Sequence, residues 1–203
     1  MAEIIVIAAH PQLDQSRATR TLMEAAARLD PARVNVRDLY ALYPDYFIDV
    51  QAEQAALTQA RLVVWLHPVH WYSMPPLMKL WLDEVFSFGW AYGPGGRALA
   101  GKDLWLAAST GGPQSSYRPD GYNRYFFDAF LHPHEQTAAL CGMRWLPPYV
   151  LHGAHHVQTQ ALAEHAELFT QRLTRWPAWP ELDGLDAALP CDVPSDARPP
   201  TVD

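Results

Sequence analysis

Glu3-Ile4-Ile5-Val6-Ile7-Ala8-Ala9-His10-Pro11 is the stretch that decides the fold. Its aliphatic residues follow one another without polar alternation, the pattern of a strand buried on both faces of a sheet. The run stops at His-Pro, and the same signature returns in Leu62-Val63-Val64-Trp65-Leu66-His67-Pro68. A third run, Leu104-Trp105-Leu106-Ala107-Ala108, opens into Ser109-Thr110-Gly111-Gly112. Val34 and Val36, alternating with polar neighbours, make a brief second strand, and Tyr149–Leu151 a last one. Between the strands lie helical stretches. Ser16 is placed to cap a helix over 17–29, which Asp30-Pro31 closes. Others fall at 51–60, from Pro75-Pro76 to about Phe86, at 124–140 with a kink at Pro133, and at 161–175. The segment holding Tyr40, Tyr43, Tyr46 and Phe47 reads as an aromatic loop. Strands alternating with helices imply one parallel sheet with helices on both faces.

Composition agrees with a globular chain. Of 203 residues 49% are apolar and 18% charged, enough to build a core without a disulfide or metal staple. Two cysteines, Cys141 and Cys191, are too few for a disulfide framework and point to the reducing cytoplasm. Cys141, after an apolar helix, reads as a small buried hydrophobe. No apolar run approaches a membrane span, and the first run lacks the flanks of a signal peptide. The net charge of −7 is concentrated at the C-terminus. From Trp176 onward six acids face the single base Arg198, and six of the 18 prolines fall there too. The reading is a domain over 1–175 followed by a Pro-rich acidic tail, 176–203. The domain carries only about −2, no footprint for nucleic acid. Five strands in this alternation favour the order 2-1-3-4-5, a flavodoxin-like three-layer sandwich.

In such sheets ligands bind beyond the carboxyl ends of the strands, where the strand order reverses. Three loops are therefore informative. The first, 10–19, contains His10 and leads through Ser16-Arg17-Ala18-Thr19 into a helix N-terminus, a natural phosphate site. An ordinary serine cap explains Ser16 equally well on its own. The second, Val69-His70-Trp71-Tyr72, puts large aromatics at an exposed strand end, where they gain little unless something stacks on them. The third, Ser109-Thr110-Gly111-Gly112 and on to Tyr117, combines hydroxyls with glycines that let the backbone approach a ring closely. Each loop alone has a bland explanation. Together they favour a flat, phosphorylated ligand, and flavin mononucleotide has that shape.

These motifs, in this order, resemble the NAD(P)H:quinone reductase family of flavodoxin-like proteins, to which DT-diaphorase belongs. The similarity runs over about residues 3–175 and includes Asp38-Leu39-Tyr40, Tyr43-Pro44-Asp45, Leu77-Met78-Lys79-Leu80-Trp81, Gly89-Trp90-Ala91-Tyr92-Gly93 and Trp145-Leu146-Pro147-Pro148. Within the family the chain is similar to the Kef ancillary proteins, which activate glutathione-gated potassium/proton antiporters. Ser115-Ser116-Tyr117-Arg118 and Asn123-Arg124-Tyr125 lean toward the KefG branch, His70-Trp71-Tyr72 toward the KefF branch. The resemblance implies a cytoplasmic homodimer with flavin sites at its interface, FMN as cofactor (FAD the second choice) and hydride passing from NAD(P)H to a quinone. It places His10, Ser16, Arg17, Ala18 and Thr19 on the phosphate end. Val69, His70, Trp71, Tyr72, Ser109, Thr110, Gly111 and Gly112 would meet the ring, with Tyr117 as the catalytic residue at its reactive edge. Thr19 stands where the family usually has Asn, and Ser109 where it has Thr. Asn123 occupies the position of a histidine that serves the loop tyrosine of DT-diaphorase.

Other chemistry is weakly marked. His152, His155 and His156 lack metal-site spacing, and neither Gly-x-Ser-x-Gly nor Gly-x-Gly-x-x-Gly occurs. The stripe Trp81, Leu82, Val85, Phe86 reads as core or dimer interface, while Trp90 and Tyr92 are candidates to reach into a partner's site. Two functions remain: an oxidoreductase, or a regulatory subunit on an inner-membrane antiporter with little redox turnover.

Overall fold

Successive residues of each apolar run go to opposite faces of one sheet. The computed structural model describes residues 2–185. Its strands are β1 (Ile4–Ala8), β2 (Val34–Asp38), β3 (Leu62–Pro68), β4 (Asp103–Ser109), β5 (Arg144–Trp145) and β6 (Tyr149–Leu151). Ile5, Ile7, Val63, Trp65, Leu104 and Leu106 enter one core, and Ile4, Val6, Leu62, Val64, Trp105 and Ala107 the other. That two-sided burial is why the runs carry no polar alternation.

Every strand pairing is parallel, in the order β2-β1-β3-β4-β5 with β6 also on β4. This is the flavodoxin-like α/β arrangement expected. Helices α1 (Ala18–Ala27) and α6 (Thr159–Arg175) cover one face. The other is covered by α3 (Val50–Gln59), α4 (Pro76–Val85) and α5 (His132–Leu140). A short helix, α2 (Leu39–Leu42), follows β2, where Asp38 accepts from the backbone N–H of Tyr40 and Ala41.

Two expectations are corrected. Residues 40–42, read as part of a loop, belong to α2 because Asp38 supplies its cap. The helix expected over 124–140 begins only at His132, after a 3-10 turn at Phe127–Phe130. Pro133 sits in its first turn, where the missing amide costs nothing, so it starts a helix rather than kinking one. The last strand stands where expected, as β6 on Ala107 to Ser109, and a short extra strand, β5, precedes it on Asp103 and Leu104. Pro147-Pro148 lies between, and proline cannot donate to a ladder.

Of the stretch read as a tail, residues 176–185 lie on the α1/α6 face. Trp176, Trp179 and Leu182 are buried there, with the Trp179 ring edge-on to Trp105 at 4.8 Å. Trp176 Nε1 donates to Asp103, whose carboxylate also takes two hydrogen bonds from Arg144. The rest of that stretch, 186–203 with Cys191, lies outside the described residues. Cys141 is buried, and desolvation pushes its thiol up to about 12. Among the described residues no helix is long and apolar enough to cross a membrane, and no cluster of His, Cys, Asp and Glu could hold a metal ion.

Candidate flavin site

The loops after β1, β3 and β4 emerge side by side because those strands are neighbours in the sheet. At the first, Ser16 is buried and its Oγ accepts from Thr19 N at 3.1 Å, capping α1. The amides of Arg17 and Ala18 have no internal partner, so the positive end of α1 offers free donors. Arg17 is exposed and reaches Thr159 Oγ1 at 3.4 Å, while Ala18 and Thr19 are buried and line a small pocket with Leu66 and Ser109. His10 accepts from Gln12 N through Nδ1 at 3.1 Å, leaving Nε2 to carry the proton of the neutral ring.

The second loop is held in an unusual shape. His70 and Ser73 bond reciprocally through their backbones at 3.1 and 3.0 Å. Between them Trp71 and Tyr72 both have positive φ, +48° and +63°. Left-handed backbone costs a non-glycine residue about 1–2 kcal/mol, and such strain gathers at ligand-binding positions. Its effect is to leave the amides of Trp71 and Tyr72 unpaired. Trp71 is 93% exposed. The His70 ring lies edge-on to His10 at 6.1 Å, joining the first two loops. Burial lowers the pKa of both histidines, and the His70 ring further disfavours charge on His10.

The third loop is braced from the far side of the sheet. Thr110 N donates to Leu151 O, Ala154 N to Thr110 O and Gly153 N to Gly112 O, all at 2.9 Å. Ser109 closes β4 by accepting from Val69 N at 2.7 Å, and the amides of Gly111 and Gly112 stay free. Thr110 is 1% exposed, with its hydroxyl 2.8 Å from Gly112 O and 3.0 Å from His152 Nδ1. Tyr117 is buried against Phe127, Phe130 and His152. Burial raises the Tyr117 pKa, and the Thr110 contact pulls it partly back.

Beyond β3 and β4 this leaves an open pocket of about 250 Å³ lined by Val69, Trp71, Tyr72, Gly112, Ser116, Tyr117, Tyr122 and Asn123. Five of these were expected at the ring. His10, Ser16, Arg17, Ala18, Thr19, His70, Ser109, Thr110 and Gly111 stand outside that lining, on the adjoining loops. Tyr122 was not foreseen, and Asn123 Oδ1 accepts from Tyr72 Oη at 3.4 Å instead of serving Tyr117. His152 was weighed only as a metal ligand, yet it follows strand β6 and so obeys the same strand-end rule as His10. Trp90 and Tyr92 pack against their own chain's core.

The cradle fits a flavin phosphate ester: free amides at a helix end, then two further pairs of free amides on the loops beside an aromatic-lined pocket. Residues 2–173 match the family described by a flavodoxin-like fold, and the chain belongs to that family. It is 46% identical over 173 residues to the glutathione-regulated potassium-efflux system ancillary protein KefF of Citrobacter koseri, covering 85% of this chain and 96% of that one. Among solved structures it resembles general stress protein 14 of Treponema denticola in complex with FMN. That match has 37% identity and a TM-score of 0.81 over 85% of this chain and 98% of that one. A candidate quinone reductase of Klebsiella pneumoniae is 27% identical at a TM-score of 0.74, over 87% and 86% of the two chains.

Proposed function

We propose that this chain is an FMN-dependent NAD(P)H:quinone oxidoreductase that also serves as ancillary partner of a Kef-type potassium/proton antiporter. The observation that carries the reading is the aromatic pocket beyond β3 and β4, set beside the free amides of α1. A bound flavin supplies the hydride chemistry, taking a hydride from NAD(P)H and passing it to the acceptor. His10 and Ser16–Thr19 hold the phosphate end, where Nε2 of His10 and the free amides donate. The Trp71, Tyr72, Gly111 and Gly112 amides hold the polar edge of the ring, where they stabilise negative charge. Tyr117 donates to the acceptor oxygen, and Trp71 and Tyr122 exclude water from above.

A second copy of this chain covers the rim of the pocket. Trp71 and Tyr122, which line the pocket, are exposed, as are Tyr125 and Phe126 on the same loop, more bare aromatic surface than a monomer usually leaves open. The identity to KefF supports the antiporter role and, with it, a cytoplasmic position at the inner membrane. The test is NAD(P)H consumption with a water-soluble benzoquinone as acceptor. Turnover should require added FMN and slow in Tyr117→Phe. Unchanged quinone kinetics in that variant would overturn the role of Tyr117. Absence of any turnover would overturn the oxidoreductase and leave the ancillary role standing alone.

A further inference from the structure

The turn His70-Trp71-Tyr72-Ser73 holds two consecutive residues in left-handed backbone, at φ +48° and +63°. A two-residue turn of that hand ordinarily carries Asn-Gly or Gly-Gly, whose backbones accept positive φ cheaply. Trp-Tyr does not, so the residues of the turn work against its shape. The reciprocal backbone bonds of His70 and Ser73 tie the ends of the turn and leave the two residues between them to contacts from elsewhere. Trp71, 93% exposed, supplies little. Tyr72 supplies more. Its ring stacks on Phe130, with centroids 5.0 Å apart and planes 23° from parallel, and its hydroxyl donates to Asn123 Oδ1 at 3.4 Å. Phe130 ends the 3-10 turn Phe127–Phe130, between Phe127 packed on the core and the buried Leu131. The Phe130 ring also lies edge-on to Tyr117 at 5.9 Å and to Tyr125 at 6.2 Å. Two rings that line the pocket, Tyr72 and Tyr117, thus rest on one side chain that stands outside the lining.

From this geometry we infer that Phe130, with Asn123 beside it, is a positioning residue that holds the Trp71-Tyr72 turn left-handed before any flavin arrives. The inference rests on the flavin reading and deepens it. The left-handed pair leaves the amides of Trp71 and Tyr72 without internal partners, and these are the donors assigned to the polar edge of the ring. Released from the stack, the turn relaxes toward the hand its residues prefer, and binding must first reverse that change. A ligand that meets a competent turn in only a fraction of the molecules binds more weakly by that fraction. Backbone strain of this kind persists only where the surrounding structure over-determines it, and Phe130 is the part of the core that reaches the turn.

Proton NMR of the flavin-free protein reads the turn directly, because positive φ brings a residue's own amide and α protons close enough for a strong cross-peak. The parent should show such peaks at Trp71 and Tyr72. Phe130→Leu keeps apolar bulk and loses the stack. Its peaks should weaken, and its affinity for FMN, by calorimetry, should fall about tenfold, with the turn competent in about a tenth of the molecules. Phe130→Tyr restores the ring and should recover both. Asn123→Ala and Tyr72→Phe delete the same hydroxyl bond, so each should weaken FMN about threefold, and the two together no further. Ordinary right-handed peaks in the flavin-free parent, or parental peaks and affinity in Phe130→Leu, overturn the inference and leave the flavin site standing. Weaker binding with parental peaks makes Phe130 a direct contact and overturns it too. Additive losses in the Asn123→Ala and Tyr72→Phe pair overturn the part given to Asn123, a test that stands even where Phe130→Leu does not fold. A folded parent that takes up no FMN overturns the flavin reading as well.

Discussion

Lowering the pH from 7 to 5 should destabilise this protein through two histidines that its core keeps neutral. His67 at the end of β3 and His134 in α5 lie with ring centroids 5.9 Å apart, beside Trp65 and Trp145. His67 Nε2, both nitrogens of His134 and Trp65 Nε1 are buried without a hydrogen-bond partner. Desolvation pushes His67 down to about 3 and His134 down to about 4, against about 6.5 in an unfolded chain. With both folded values depressed, the unfolded chain binds the extra protons, so stability falls as pH drops from about 6.5 toward 4. Each group contributes about 1.4 kcal/mol per pH unit inside that window. Between pH 7 and 5 that amounts to about 2 kcal/mol each, about 4 for the pair. Urea unfolding at both pH values, on the parent and on His134→Phe, isolates one group, because the carboxylates contribute alike to the two proteins. The variant should lose about 2 kcal/mol less than the parent between the two pH values. Equal losses would mean that the folded protein does not hold His134 neutral.

Three further outcomes are expected. Glu53 is fully buried and its carboxylate accepts from Arg37, Tyr43 and Trp81. Glu53→Gln strips the charge from that hub and should cost about 3–5 kcal/mol in urea unfolding. Trp179→Ala empties the space against Trp105, at about 3–5 kcal/mol, and should lower the melting temperature by about 10 °C. Trp71→Gly relieves left-handed strain at an exposed position while loosening the unfolded chain by a similar amount. Stability should stay within about 0.5 kcal/mol while FMN affinity, by calorimetry, weakens about tenfold.

The sheet was legible because doubly buried strands leave unbroken apolar runs, and those runs end in the loops that carry the pocket. What the runs could not show is contact across the fold. The separation of the short extra strand from the last one depends on Pro147-Pro148 interrupting a ladder whose partner, β4, lies some forty residues back. Pro133 reads the same in sequence whether it kinks a helix or starts one. His152 looked like one of three loose histidines until Thr110, from another strand, came within hydrogen-bond distance. The left-handed turn at Trp71-Tyr72 carries none of the usual glycine or asparagine signals, because the site and not the turn sets those residue types.

The central claim is that the loops after β1, β3 and β4 form one flavin site with the phosphate on the N-terminus of α1. Equilibrium titration of the protein with FMN, followed by quenching of flavin fluorescence, tests it most directly when run beside Ser16→Asp, which sets a negative charge where the phosphate should sit. One FMN per chain is expected for the parent, and no measurable binding for a folded Ser16→Asp protein. Failure of the parent to bind FMN, or equal affinity in the variant, would contradict it.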